Sequence, residues 1–292
     1  MRIKALNGIG RLAQELGDYV SASEAHSEAL RQARAAGDSL SAAFAINNLG
    51  ALAKHRGDYE AAGRYFEESL AVLRKVGKMQ HVTTVLNNLS QLYFAQGEFT
   101  RARATQEECV TLQRKDADLL GVAISLGNLA EITRMSGGDL GEAGRLAKES
   151  LDACRELGDL LGVALSLQTL GDVARRRGAL DEAAQHLRKS LEILRDQGVK
   201  PDIAGALEST AALAASRGEA ELVVRLAGAA AALRDSIDAP IAPVYQLALE
   251  AAIETGRSTL TTAAAERAWN EGRELPLDLA IEAALSSLAA NA

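Results

Sequence analysis

The chain has 292 residues, of which 48% are hydrophobic and only 3% aromatic, and its four prolines all lie at or after Pro201. This alanine- and leucine-rich composition favours closely packed helices over sheets. The formal net charge of -7 argues against nonspecific binding of nucleic acid, and no stretch of the sequence is long and apolar enough to span a membrane.

A repeat of forty residues runs through most of the chain. The segment Ile46–Gly50 recurs as Leu86–Ser90, and Gly57–Tyr59 recurs as Gly97–Phe99. Apolar residues follow helical spacing both before and after this glycine, so each unit is predicted to be a helix, a tight turn and a second helix. Self-similarity at this period is typical of a stacked helical solenoid. Units are expected near residues 1–40, 41–80, 81–120, 121–161, 162–201 and 202–241.

The turns inside and between the units carry a glycine. The glycine after a first helix is expected to adopt the left-handed conformation that ends many helices, and the Asp or Glu after it is expected to cap the second helix. The register slips once, through an extra glycine that is either Gly137 or Gly138. The equivalent turns are Gly17-Asp18, Gly57-Asp58, Gly97-Glu98, Gly138-Asp139, Gly178-Ala179 and Gly218-Glu219, and a second break follows at Gly37, Gly77, Gly158 and Gly198.

Several positions of the repeat match a known family. A Leu-Gly pair occurs on first helices, an aromatic residue follows the turn, and a small residue lies on second helices, as in Leu49-Gly50, Tyr59 and Ala62. Over roughly residues 1–235 the chain therefore resembles the tetratricopeptide repeat family. It departs in lacking the early tryptophan and the closing proline, and its period exceeds the usual ~34 residues. The resemblance implies an all-α, right-handed superhelix (solenoid) of about six repeats whose first helices line a concave groove for a protein or peptide ligand.

Asparagines recur midway along the first helices, although asparagine is a mediocre helix former. An amide offers donors and an acceptor, so a ladder of asparagines can hold the backbone of a bound peptide. An equally open alternative is that they bond across helix interfaces. With the other positions that the family places on the concave side, the candidate binding residues are Asn7, Arg11, Asn47, Asn48, Lys54, Asn87, Asn88, Gln91, Phe94, Asn128, Glu131, Arg134, Gln168, Asp172 and Arg175.

The repeat phase is lost after Asp235, and a proline-containing break at Ala239–Pro243 precedes three predicted helices near 243–254, 259–271 and 277–290. Residues 236–292 are therefore expected to form a helical cap. Three segments resemble the C-terminal ends of bacterial ATP-dependent regulators of the LuxR, AfsR and MalT type. They are Leu226–Arg234, Ala268–Arg273 and Leu275–Ile281. This resemblance implies a sensor region that binds a peptide, a small inducer or a protein. The alternative is a generic cap in which Trp269 is a buried packing residue.

Signs of catalysis are missing from the sequence. The nearest glycine cluster to a phosphate-binding loop, Gly137–Gly141, lacks the lysine, and the four histidines lack metal-ligand spacing. No enzymatic activity, cofactor or metal is therefore expected. Basic residues cluster at the ends of first helices, as in Lys54–Arg56, Arg134 and Arg175–Arg177. We expect them to pair with the negative end of the helix dipole and to be solvated, rather than to form an anion-binding site.

Two functions remain open from the sequence. The first is a peptide- or protein-binding sensor region of a larger bacterial transcriptional regulator, whose DNA-binding and ATPase parts lie elsewhere. The second is a free-standing scaffold that assembles protein partners on its outer faces or self-associates. Because no signal peptide precedes the first repeat, a cytoplasmic location is expected in either case.

Overall fold

A computed structural model describes residues 2–15 and 18–289, and within these residues the regular structure is entirely helical, without a strand. The all-α class and the arrangement as successive helix pairs are thereby confirmed. The predictions that concern Leu16, Gly17 and residue 290 lie outside the described residues. Among the described helices, none is both long and apolar enough to cross a membrane.

Six helix pairs, one for each repeat, come first, and three further helices follow them. The first helix of each later pair begins about two residues before the boundary expected from the repeat, as at Ser39. The helices are α1 (Arg2–Glu15), α2 (Tyr19–Ala35), α3 (Ser39–His55), α4 (Tyr59–Val76), α5 (Met79–Ala95), α6 (Phe99–Lys115), α7 (Leu119–Met135), α8 (Leu140–Leu157), α9 (Leu160–Arg176), α10 (Leu180–Gln197), α11 (Lys200–Arg217), α12 (Ala220–Ser236), α13 (Pro243–Ser258), α14 (Thr262–Glu274) and α15 (Leu277–Ser287).

The turn glycines adopt the left-handed backbone conformation that was expected of them. Gly57 has a φ of 77°, and the ambiguous slip is resolved because Gly137, with a φ of 73°, takes the turn position and Gly138 is the extra residue. In the turns between units, Gly37 and Gly77 precede α3 and α5. In the corresponding turn before α7 this glycine is replaced by Ala117, which adopts a φ of 54°. An alanine in this region costs about 1 kcal/mol, because its Cβ crowds the backbone.

Aspartates cap the following helices, whereas the glutamates do not. The side chains of Asp18, Asp38 and Asp58 each accept a hydrogen bond from a backbone N–H in the first turn. The expected caps at Glu98 and Glu219 were wrong, since neither side chain makes this bond. The longer glutamate side chain fits the local capping geometry less well than aspartate does.

The chain consists of two compact units, Met1–Asp118 and Leu119–Ala292. In the first unit, Phe66 is fully buried, and a Cβ on Gly50 would lie only 2.7 Å from its Cε1 atom. In the second unit, Leu187 packs in the same way, 2.7 Å from the position of a Cβ on Gly171. The glycine of each Leu-Gly pair thus lets a large side chain of the partner helix pack directly against the first helix.

The three predicted C-terminal helices are present in the second unit as α13, α14 and α15. Helices α12 and α14 cross in close contact, because a Cβ on Gly228 would lie 2.5 Å from the carbonyl oxygen of Trp269. A Cβ on Gly272 would overlap the carbonyl oxygen of Arg225. Trp269, which the alternative interpretation treats as a buried packing residue, is only partly buried, and the guanidinium of Arg257 lies 5.4 Å from its ring centroid.

Candidate functional site

The structure distributes the candidate binding residues between the two units. Six of them lie on the first helices α7 and α9 of the second unit and line one cavity there. These six are Asn128, Glu131, Arg134, Gln168, Asp172 and Arg175. The remaining nine lie on the first helices α1, α3 and α5 of the first unit: Asn7, Arg11, Asn47, Asn48, Lys54, Asn87, Asn88, Gln91 and Phe94.

In the first unit the asparagines bond to neighbouring helices. The Nδ2 of Asn88 donates to Oδ1 of Asn47 over 3.0 Å, which joins α5 to α3. Asn7 and Asn48 both lie near Nδ1 of the buried His26, at 3.3 and 3.4 Å. The Oδ1 of Asn87 lies 3.4 Å from Nε2 of Gln106. These contacts supply the interface role that the sequence left open, and each amide is also only partly buried.

The other candidates of the first unit are Arg11, Lys54, Gln91 and Phe94, and three of them contact residues of the same unit. The Nζ of Lys54 donates to Oε1 of Gln91 over 2.9 Å, and burial lowers the pKa of Lys54. The ring of Phe94 lies 6.0 Å from that of Phe99, edge to face. Arg11 is exposed on α1. Lys54 therefore serves a contact between helices rather than only solvation at a helix end.

A cavity of about 1050 Å³ opens in the second unit between the first helices and the first C-terminal helix. Helices α7, α9 and α11 form its floor, and Ile241, Tyr245 and Leu249 of α13 and the preceding loop form a wall. A volume of this size lies at the upper end of the range found for ligand sites. We call this space the α7/α9/α11 cavity.

Half of this cavity is apolar. Leu120 and Ile124 are one helical turn apart on α7, and Leu161 and Leu165 hold the corresponding positions on α9. All four are exposed, with between 37% and 45% of their surface accessible. Four exposed aliphatic side chains side by side at a cavity mouth form a surface that a ligand with apolar groups can cover.

The other half holds a buried ionic cluster. Arg134 binds Glu131 through two hydrogen bonds of 2.6 and 2.8 Å, and its Nη2 lies 3.8 Å from Oδ2 of Asp172. The Nε of Arg175 lies 3.6 Å from Oδ1 of Asp172. The side chain of Arg134 is only 8% exposed. The expectation that Arg134 is solvated at a helix end was therefore wrong, because α9 brings Asp172 against it and closes the pair.

The pKa values in the cluster follow from its charges and its burial. Burial alone would lower the pKa of Arg134, yet the carboxylates of Glu131 and Asp172 outweigh it, so that the pKa is raised. Burial alone would raise the pKa of Glu131, but Arg134 outweighs it and the pKa is lowered. Burial, with a smaller contribution from the charge of Glu131, raises the pKa of Tyr245 well above its usual value. Glu131 and Arg134 are thus an ionised pair beside a neutral tyrosine.

Several cavity residues were missed from the sequence. Ser209 donates to Oδ2 of Asp172 over 3.1 Å and receives a bond of 3.1 Å from Gln168. Thr169 and Tyr245 both contact the carboxylate of Glu131. Thr169 lies 41 residues after Asn128, and Ser209 lies 40 residues after Thr169. Continuing the repeat position of Asn48, Asn88 and Asn128, with one residue added for the extra glycine, would therefore have identified both. Tyr245 lies beyond the repeats and has no such signal.

Family models match much of the chain. One described as tetratricopeptide repeat matches residues 2–75 and 135–196, and a second with the same description matches residues 82–115. Together they span more than half of the 292 residues and fall in both units. A comparison with curated proteins gives no match.

Solved structures with a similar fold include two Rap proteins and the protein BtubC. A Rap protein complexed with Competence and Sporulation Factor superposes with a TM-score of 0.72 at 12% identity, over 96% of this chain and 74% of that one. The apo form of RapI gives 0.64 at 13% identity, over 93% and 100%. BtubC (BKLC) from P. vanneervenii gives 0.54 at 17% identity, over 82% and 92%. At these identities the likeness concerns the fold alone, and with the family matches it leads to one conclusion: the chain is built largely of tetratricopeptide repeats.

Proposed function

We propose that this chain is a non-catalytic binding protein and that the α7/α9/α11 cavity receives a segment of a peptide or protein ligand. Tetratricopeptide repeats are protein-interaction modules, and a Rap protein with a similar fold has been solved in complex with the factor named above. The observation that carries the proposal is the cavity itself, which is large and places an apolar mouth beside a buried polar cluster.

The cavity offers groups that suit a peptide. A peptide segment presents apolar side chains together with backbone N–H and C=O groups, and both halves of the cavity have a counterpart for these. The Nε of Arg175 is buried and donates no hydrogen bond. A buried donor without a partner costs about 1–3 kcal/mol, and a ligand carbonyl would recover part of this by accepting from it. Gln168, two turns before Arg175 on α9, carries an amide with both donor and acceptor atoms.

A pocket-filling variant tests the proposal. Gly205 lies within α11 on the cavity floor, and a Cβ added there meets Nε2 of Gln168 at an ordinary 3.5 Å. Gly205→Leu is therefore expected to place a side chain in the cavity without disturbing α11. Gly144→Leu on α8 is the matched control, since its Cβ would contact Cγ1 of Val173 at 3.6 Å and Gly144 is not part of the cavity lining.

The ligand is sought with a bead-bound library of random hexapeptides and the fluorescently labelled full chain. Peptides selected by the unmodified chain are expected to bind Gly144→Leu equally well and Gly205→Leu at least tenfold more weakly. Equal binding by Gly205→Leu, or the absence of any selected peptide, would contradict the proposal. Thermal unfolding midpoints of the two variants within a few degrees of each other show that folding is not the cause.

We also propose that the chain is the sensor region of a larger cytoplasmic bacterial transcriptional regulator, with the DNA- and ATP-binding parts elsewhere in that protein. The support is the order of residues in Leu226–Arg234, Ala268–Arg273 and Leu275–Ile281, which fall on α12, α14 and around the start of α15. The reading frame upstream of Met1 tests this: an in-frame phosphate-binding loop is expected, and a stop codon directly upstream would contradict it.

A further inference from the structure

The charges that line the α7/α9/α11 cavity are unequal in number. Three guanidinium groups line it, those of Arg134, Arg175 and Arg234. Five carboxylates face them: Glu131, Asp159, Asp172, Asp202 and Glu208. The lining contains no lysine and no histidine. The cavity therefore carries an excess of negative charge, in a chain whose formal net charge is already -7.

The three arginines are all engaged by carboxylates of the cavity itself. Arg134 and Arg175 share Glu131 and Asp172, as described above. Arg234 binds Glu208 through two hydrogen bonds of 2.6 and 2.9 Å, and both side chains are less than a fifth exposed. An anionic ligand would have to compete with these carboxylates for the arginines, so the cavity is poorly suited to bind one.

The excess charge belongs to Asp159 and Asp202, at the N-terminal ends of the adjacent helices α9 and α11. Asp159 accepts the capping hydrogen bond from the N–H of Gly162, over 3.1 Å. Asp202 makes no side-chain hydrogen bond or close ion pair with the described residues, although it is partly buried. Burial raises its pKa, and Arg234 offsets this only in part. A positive charge brought to Asp202 would stabilise its ionised form.

The apolar mouth lies at the same end of the helices. The N-terminal halves of α7 and α9 carry Leu120, Ile124, Leu161 and Leu165, and Pro201 precedes Asp202 in the first turn of α11. Apolar surface beside a carboxylate lowers the local dielectric constant, which strengthens the attraction of that carboxylate for a cation. A lysine or arginine side chain suits such a place, because its methylene stem contacts apolar surface while its charged end reaches the acid.

We propose that the α7/α9/α11 cavity selects a cationic ligand: a peptide segment with a lysine or arginine flanked by aliphatic or aromatic residues, whose positive charge binds Asp202. This rests on the proposed function, since it names the ligand class of the same cavity. Selection arises from the two carboxylates that exceed the arginines in number. Acidic peptides are rejected by this excess negative charge, and each arginine already lies beside a carboxylate of the cavity.

The selected hexapeptides test the charge preference separately from binding as such. Enrichment of lysine or arginine at one position, beside leucine, isoleucine or phenylalanine, is expected. Enrichment of aspartate or glutamate, or selection without regard to charge, would overturn the cationic preference while the cavity remained a binding site. The absence of any selected peptide would overturn both proposals.

Asp202→Asn tests the assigned residue. Three matched peptides are compared, one selected sequence and its variants in which the basic residue is replaced by glutamine or glutamate. The unmodified chain is expected to bind the basic peptide about tenfold more tightly than the glutamine variant at low salt, and less so as salt is raised. In Asp202→Asn this preference is expected to fall about three- to tenfold.

Asp152→Asn serves as the control, since Asp152 is an exposed carboxylate on the second helix α8 of the same unit. It removes the same formal charge from the chain and is expected to leave the preference unchanged. An unchanged preference in Asp202→Asn, or an equal fall in both variants, would overturn the assignment to Asp202. The binding of the glutamine variant, which is expected to change little in Asp202→Asn, shows that the cavity is intact.

Discussion

The buried pair of Glu131 and Arg134 makes a sharp prediction about stability. Arg134→Met keeps most of the aliphatic volume but removes the guanidinium from two carboxylates, in a place where Arg134 is 8% and Glu131 20% exposed. Breaking a buried ion pair by removing one partner costs about 3–5 kcal/mol, since the remaining charge stays desolvated. Because Arg175 still lies near Asp172, we expect the lower end, a loss of about 3 kcal/mol in the free energy of unfolding.

A double-mutant cycle separates the pair from the loss of packing. Glu131→Gln alone is expected to cost about 2 kcal/mol, and combining it with Arg134→Met to cost little more than Arg134→Met alone, a coupling energy of about 2 kcal/mol. Arg188→Met is the control, because the pair of Arg188 and Glu192 lies within α10 of the same unit and both side chains are at least 40% exposed. That control is expected to cost about 0.5 kcal/mol or less.

Urea unfolding of the unmodified chain and the four variants, followed by far-UV circular dichroism, measures these differences. A cost for Arg134→Met no larger than that for Arg188→Met would refute the reasoning. It would mean that Arg134 is solvated and paired only with the helix dipole, as its position at the end of α7 first indicated.

Three further predictions concern the repeats and the C-terminal helices. Ala117→Gly is expected to raise the free energy of unfolding by about 1 kcal/mol, because Ala117 has a positive φ. Ala36→Gly, at a residue with ordinary helical backbone angles, is expected to lower this free energy slightly. Urea unfolding of both variants measures the two changes, and a loss of stability in Ala117→Gly would contradict the prediction. Gly272→Ala is expected to cost at least about 2 kcal/mol in the same assay, since the new Cβ would overlap the carbonyl oxygen of Arg225; an unchanged midpoint would contradict the close crossing of α12 and α14. Burial lowers the pKa of His26 below the ordinary histidine value of about 6.5, so the unfolded chain takes up a proton before the folded one and stability should fall as pH drops below about 6.5. A smaller fall in His26→Gln is expected, and an identical pH profile would contradict it.

The repeat made the helix pairs and their turns predictable, because glycine and apolar spacing are local signals. Gly57 and Gly77 end their helices where the sequence indicated, and the aspartate caps follow the glycines as expected. The two-residue error at Ser39 reflects the fact that a helix starts at its cap rather than at its first apolar residue.

The candidate site was only partly predictable. Glu131, Arg134 and Asp172 were placed on the first-helix side by register alone, but their mutual burial depends on the distance between α7 and α9, which no single sequence segment encodes. Tyr245 lies on α13, beyond the repeats. The prolines before α13 indicate that the helical pattern is interrupted, but they do not indicate where α13 packs. Local patterns thus located the polar face, whereas tertiary packing determined which part of it became a cavity.

The most direct test of the binding site is a photo-cross-linking measurement with the full chain. A peptide selected from the library, with one flanking apolar residue replaced by benzoylphenylalanine, is irradiated with the protein, and the adducts are located by mass spectrometry. Adducts are expected on the cavity-lining residues of α7, α9, α11 and α13, such as Leu165 and Leu249, and are expected to be lost in Gly205→Leu. Adducts confined to residues of the second helices α8, α10 and α12 that lie outside the cavity lining, or retained in Gly205→Leu, would contradict binding in the cavity.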